Sequence, residues 1–175
     1  QFTESTRSAI AIARQQTLGD LLRRTALRVP EKVAIINGSR TLTFAEFDAA
    51  VNRCANMLAA KGLTKGDRLA LVSHNNWQFA TLHYATARLG VILVPVNFGL
   101  GADEIAFILE HSGATAVVAE DTLVPTVAKA VEIADLTLSA RGCIHAGGLA
   151  PDADWEDVDT WMLDGDSTPP QVSIA

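Results

Sequence analysis

The stretch Asn75–Leu109 reads NNWQFATLHYATARLGVILVPVNFGLGADEIAFIL, and it decides the fold class. Asn75-Asn76 is a polar cap for a helix-length run from Trp77 to Leu89. Gly90 stops that run, Val91–Val94 forms a short apolar strand, and Pro95 closes it. A glycine-bearing loop, Asn97 to Gly101, leads into a second helix opened by Asp103-Glu104. A short apolar strand between two helices is expected to be covered on both faces, as in a parallel sheet. The first helix is apolar on most sides, so it should be buried against more than one partner. His83 within it is expected to be a packed, hydrogen-bonded core or boundary residue, and Trp77 a core residue.

Working outward, the same alternation recurs. Thr17-Leu18-Gly19-Asp20 and Thr43-Phe44-Ala45-Glu46 are Ser/Thr-x-x-acid helix openings. The second opens a helix with Phe47, Ala50, Val51, Cys54 and Leu58 on one face, ended by Lys61 and Gly62. Between the two, Val33–Ile36, Asn37-Gly38 and Thr41–Thr43 read as a hairpin with a tight Asn-Gly turn. Arg68–Val72 and Thr115–Ala119 are further strands. Asp121-Thr122 is expected to cap a helix to about Val131, with Pro125 in its first turn. Leu136–Leu138 and Gly142–Ile144 are weaker strand candidates. Strands alternating with helices imply right-handed crossovers and an α/β fold: a mainly parallel sheet with helices on both faces and a small N-terminal hairpin.

Bulk properties narrow the function classes. The chain has 175 residues, 49% of them hydrophobic and 19% charged, enough apolar material for a real core and too few charges for disorder. No apolar run reaches the roughly 18 residues needed to span a bilayer. Ala9–Ala13 is too short for a secretory signal, so a cytoplasmic protein is expected, with peripheral membrane association as the variant. The two cysteines, Cys54 and Cys143, lack metal spacing. The net charge of −6 is concentrated between Asp152 and Asp166, where seven acidic residues stand without Lys or Arg. That segment reads as a solvated element near the end of the fold. No basic stripe with interleaved aromatics occurs, which argues against nucleic acid as a partner.

The chemistry-bearing motifs are sparse. There is no Gly-Lys-Ser/Thr phosphate loop and no G-x-G-x-x-G after a strand, so Gly99-Leu100-Gly101 and Gly147-Gly148 read as turns. The four histidines, His74, His83, His111 and His145, are scattered without ligand spacing. No carboxylate pair suggests acid–base work, and the residues point to no catalytic or metal-binding group.

Five segments in register nonetheless resemble one family. They are Leu42–Glu46 (LTFAE), Gly62–Leu71 (GLTKGDRLAL), Asn75–Phe79, Gly90–Asn97 (GVILVPVN) and Asp103–Gly113 (DEIAFILEHSG). Together they are similar to the N-terminal portion of the adenylate-forming acyl-CoA synthetases (AMP-binding, ANL superfamily), with the Pro95-Val96-Asn97 variant pointing to acyl- or aryl-CoA ligases. The resemblance implies ATP, Mg²⁺ and CoA as cofactors of a parent enzyme. It implies a carboxylic acid, foremost a fatty acid, as substrate, activated through an acyl-adenylate and passed to CoA. The family's Ser/Thr/Gly-rich phosphate loop, adenine motif, ribose-binding Asp and C-terminal Lys do not occur in these residues. The resemblance therefore implies an N-terminal fragment, inactive by itself and binding none of these cofactors, whose partners are the remainder of the ligase and, through exposed apolar surface, a second copy. It further implies an arm over 1–16, an α/β subdomain over 17–163 and a linker over 164–175. Phe98, Gly99 and Leu100 map loosely onto a loop beside the CoA nucleotide. The alternative is a stand-alone module that binds CoA or acyl chains, or pairs with another subunit.

Overall fold

The computed structural model describes residues 17–147 and 154–172. The expected N-terminal arm, and the start of the acidic run at Asp152, lie outside the described residues. Helix α1 (Leu18–Arg28) is followed by an antiparallel hairpin, β1 (Val33–Asn37) and β2 (Arg40–Thr43). Next come α2 (Phe44–Ala60), β3 (Arg68–Val72), α3 (Trp77–Leu89) and β4 (Ile92–Val96). The chain continues through α4 (Ala102–Ser112), β5 (Ala116–Glu120), α5 (Val124–Ile133), β6 (Ala140–Ile144), β7 (Glu156–Asp157) and α6 (Val158–Leu163).

Both capping boxes form: the Thr17 and Thr43 hydroxyls accept from the Asp20 and Glu46 N–H groups, and both carboxylates reach back to the cap N–H. Gly38 turns the hairpin at φ 60°. In α3 the cap is Asn76, whose side chain accepts from the Phe79 N–H at 2.7 Å.

Five strands form a parallel sheet in the order β4-β3-β5-β6-β7. Because side chains alternate across a strand, Leu69 and Leu71 of β3 enter one core with α1, α2, α3 and α6, while Ala70 and Val72 enter a second with α4 and α5. β5 alternates likewise and is buried at every position. Both faces of the sheet are thus covered by helices, as the alternation predicts.

Several local expectations are corrected. The strand of the opening stretch runs through Pro95 and lies at the sheet edge, so Ile92 is exposed and β4 is only partly covered. An edge tolerates proline, because the N–H on its outer side has no ladder partner to lose. Leu136–Leu138 is a loop, packed against the second core. His83 is exposed, and its ring meets the edge of the Tyr84 ring, 5.7 Å between centroids. Asp121 does not cap α5. Its carboxylate accepts from the Thr122 and Ala146 N–H groups instead, and Leu123 stands at the cap position without a side-chain bond. The acidic run is not simply solvated: Trp155, Val158, Trp161 and Met162 are buried from within it. Lys61 ties it to α2 by pairing with Glu156, which also accepts from the Trp161 indole at 3.1 Å.

Candidate functional site

In an open parallel sheet, ligands bind beyond the C-terminal strand ends, at the point where successive connections leave in opposite directions. Here β3 connects outward to β4, and β5 connects the other way to β6. The crevice therefore lies between the ends of β3 and β5.

A polar cluster fills it. Glu120, the last residue of β5, is 4% exposed. Its Oε1 accepts from the Ser73 hydroxyl at 2.9 Å, the His74 N–H at 2.9 Å and the Asn76 amide at 3.2 Å. Its Oε2 lies 2.8 Å from His74 Nδ1. Burial alone would raise the Glu120 carboxyl, but the hydrogen bonds from His74 and Ser73 outweigh it and hold the group below the usual glutamate range. An ionised carboxylate only accepts, so the Nδ1 of His74 carries a proton toward Glu120. The Asn76 amide also donates to Ser73 Oγ at 2.9 Å, joining the α3 cap to the cluster.

Phe98, Gly99 and Leu100 lie beside it, just after β4. The Asn97 side chain accepts from the Gly99 N–H at 2.9 Å and closes the turn, while Leu100 packs against the second core. The Phe98 ring is exposed and stacks on His74, with centroids 3.7 Å apart and planes inclined by 32°. Gly101, the residue after this loop, donates its N–H to Glu104 at 2.9 Å and starts α4.

On the other side of the cluster is an open polar cleft of about 350 Å³, lined by Asn37, Arg40, Trp77, Glu120, His145 and Asp159 among others. The Arg40 guanidinium sits 4.3 Å over the buried Trp77 ring. His145 lies between two carboxylates, 3.9 Å from Asp121 and 3.8 Å from Asp157. Among the described residues no group of three His, Cys, Asp or Glu side chains could hold a metal ion. Sequence reading singled out the Phe98–Leu100 loop, which lies beside this cluster, and did not single out Ser73, His74 and Glu120, which the structure brings together. The available signal was positional: all three stand at the C-terminal ends of parallel strands.

The AMP-binding enzyme family matches residues 22–172. This chain belongs to that family. The chain is 40% identical over 105 residues to the long-chain-fatty-acid–CoA ligase FadD13 of Mycobacterium tuberculosis, covering 59% of this chain and 21% of that protein. It is 38% identical over 105 residues to the human mitochondrial medium-chain acyl-CoA ligase ACSF2, covering 59% of this chain and 17% of that protein. Among solved structures, a long-chain-fatty-acid CoA ligase described from Rhodopseudomonas palustris superposes with a TM-score of 0.79 at 30% identity, over 91% of this chain and 39% of that one. The N-terminal domain of FACL13 from M. tuberculosis superposes with a TM-score of 0.72 at 29% identity, over 90% of this chain and 38% of that one. The fold is thus that of the N-terminal domain of ANL ligases. The chain spans about a fifth of the length of the curated relatives it matches.

Proposed function

We propose that this chain is the N-terminal α/β part of an ATP-dependent acyl-CoA ligase acting on a fatty acid. The family match over residues 22–172, joined to 40% identity with a long-chain-fatty-acid–CoA ligase, carries the reading. In that reaction the acid's carboxylate attacks the α-phosphorus of ATP, forming an acyl-adenylate and releasing pyrophosphate. The CoA thiol then attacks the acyl carbonyl, loses its proton and expels AMP. The triphosphate and Mg²⁺ are assigned to the rest of the parent enzyme, where the resemblance puts the phosphate loop. Residues 17–163 are the scaffold subdomain, and 164–175 lead toward that loop. The remainder of the ligase is the natural partner, and the cytoplasm is the expected compartment. Leu27, Ile36 and Phe107 are exposed in this chain, and a chain lacking that remainder is expected to self-associate. No helix among the described residues is long and apolar enough to cross a membrane.

The part this chain contributes to the second half-reaction is the Phe98–Leu100 loop, beside the CoA nucleotide. Gly99 is the direct probe. Its φ is not in the left-handed region, and an added Cβ would meet only Asn97 Oδ1 at 3.4 Å. Gly99→Ala in the full ligase should therefore keep the fold and raise KM for CoA, leaving KM for ATP and fatty acid unchanged. The broader test is acyl-CoA formation with AMP release by the full ligase, and none by the 175-residue chain alone. Turnover by the isolated chain would overturn this division of labour. Saturable CoA binding to it would favour a stand-alone binding module.

A further inference from the structure

Three adjacent strands end in one line of contacts: Glu120 at the end of β5, His74 after β3 and Phe98 after β4. The backbone of the Phe98 loop is held without His74, by the Asn97 carboxamide on the Gly99 N–H and by Leu100 against the core. Neither contact orients the Phe98 ring; among the described residues the aromatic contact that this ring makes is with the imidazole of His74. That imidazole is in turn pinned by Glu120, whose other oxygen is held by Ser73, Asn76 and the His74 N–H.

We infer that His74 is a positioning residue for the loop: Glu120 orients the imidazole, and the imidazole holds the Phe98 ring in place. The inference rests, for its consequence in the reaction, on the reading of this loop as the CoA-side loop. A ring held before the ligand arrives loses less freedom on binding than one that must be ordered. Aromatic ring pairs contribute enough that losing this one should weaken CoA binding about 3- to 10-fold. ATP and fatty acid, which act in the first half-reaction, should not register the loss.

The test uses the full ligase with 4-fluorophenylalanine at position 98. The ¹⁹F resonance reports the ring directly, and steady-state kinetics report its consequence. His74→Ala should move and narrow the ¹⁹F line and raise KM for CoA about 3- to 10-fold, with KM for ATP and pyrophosphate exchange unchanged. Glu120→Gln should shift the line in the same direction by less. Phe98→Ala separates the inference from the reading beneath it. If His74→Ala moves the ¹⁹F line but neither it nor Phe98→Ala alters KM for CoA, the positioning stands and the CoA-side reading fails. If the line does not move, or if Phe98→Ala raises KM for CoA and His74→Ala does not, the role assigned to His74 is overturned.

Discussion

Gly142 is where one added methyl group should cost most. It lies in β6 between β5 and β7, and a Cβ built there would stand 2.6 Å from Trp161 Cη2 and 2.7 Å from Val158 Cγ2. Normal carbon contacts are about 3.5–4.0 Å, so α6 would have to retreat by about 1 Å. Trp161 and Val158 are essentially inaccessible to solvent, and the Trp161 indole is bonded to Glu156, so neither can swing aside. Overpacking of this kind costs up to about 3 kcal/mol. Removing a strand glycine returns about 0.5–1 kcal/mol, because the unfolded chain loses freedom. Gly142→Ala should therefore be destabilised by about 2 kcal/mol, a fall in Tm of about 4–8 °C for a domain of this size. Urea unfolding followed by circular dichroism measures the loss. A mutant cycle identifies its cause, since in a Trp161→Leu/Val158→Ala background, where both close neighbours are cut back, the same substitution should cost less than about 0.5 kcal/mol. A single variant as stable as wild type would refute the close packing of α6 on β6. So would a loss that persists undiminished once both neighbours have been cut back.

Two further outcomes follow from named contacts. Glu120 is held below its ordinary value, so its contribution to stability is complete above about pH 4.5 and fades as pH falls through the folded-state value. Glu120→Gln should cost about 1–3 kcal/mol at pH 7 and show a flatter loss of urea midpoint between about pH 5 and 3 than wild type; parallel pH curves would reject this account. Asn56 donates to the carbonyls of Asp166 and Thr168, each at 3.0 Å, and so straps the segment after α6 onto α2. Asn56→Ala should lose under about 1.5 kcal/mol of global stability but be nicked faster within 164–172 by a nonspecific protease, and an unchanged nicking rate would contradict that strap.

Local chemistry was legible wherever its cause is local. The hydroxyl and carboxylate of Thr43 and Glu46 are three residues apart and need no third party, so the capping box could be read directly. The same holds for the Asn37-Gly38 turn and for the alternation of Leu69 and Leu71 against Ala70 and Val72. Asp121 looked equally local, but the Ala146 N–H, 25 residues away, competes for its carboxylate. The place of β4 was hidden for the same reason: an apolar tetrapeptide does not reveal whether one neighbour or two will pair with it. In the acidic segment a signal was present and was outweighed by charge. Trp155, Val158 and Met162 recur at near-helical spacing, with Trp161 beside them, and the acids occupy the positions between.

The cluster at Glu120 follows from strand order more than from any motif. Glu120 and His74 are 46 residues apart, and nothing in their flanks pairs them. They meet because β4 passes to one side of β3 and β5 to the other, which sets the ends of β3 and β5 side by side. A crevice at that point is a property of any sheet with this order. What is particular to this chain is how the crevice is filled. A strand-end glutamate can be buried there because Ser73, His74 and Asn76, from the short β3–α3 turn, satisfy both of its oxygens. The same turn caps α3 through Asn76 and supports Phe98 through His74. One short connection thus sets the start of a helix, holds a buried acid in its charged form and meets the ring of the neighbouring loop's Phe98. Substitutions in it should be felt at the loop before they are felt in the core.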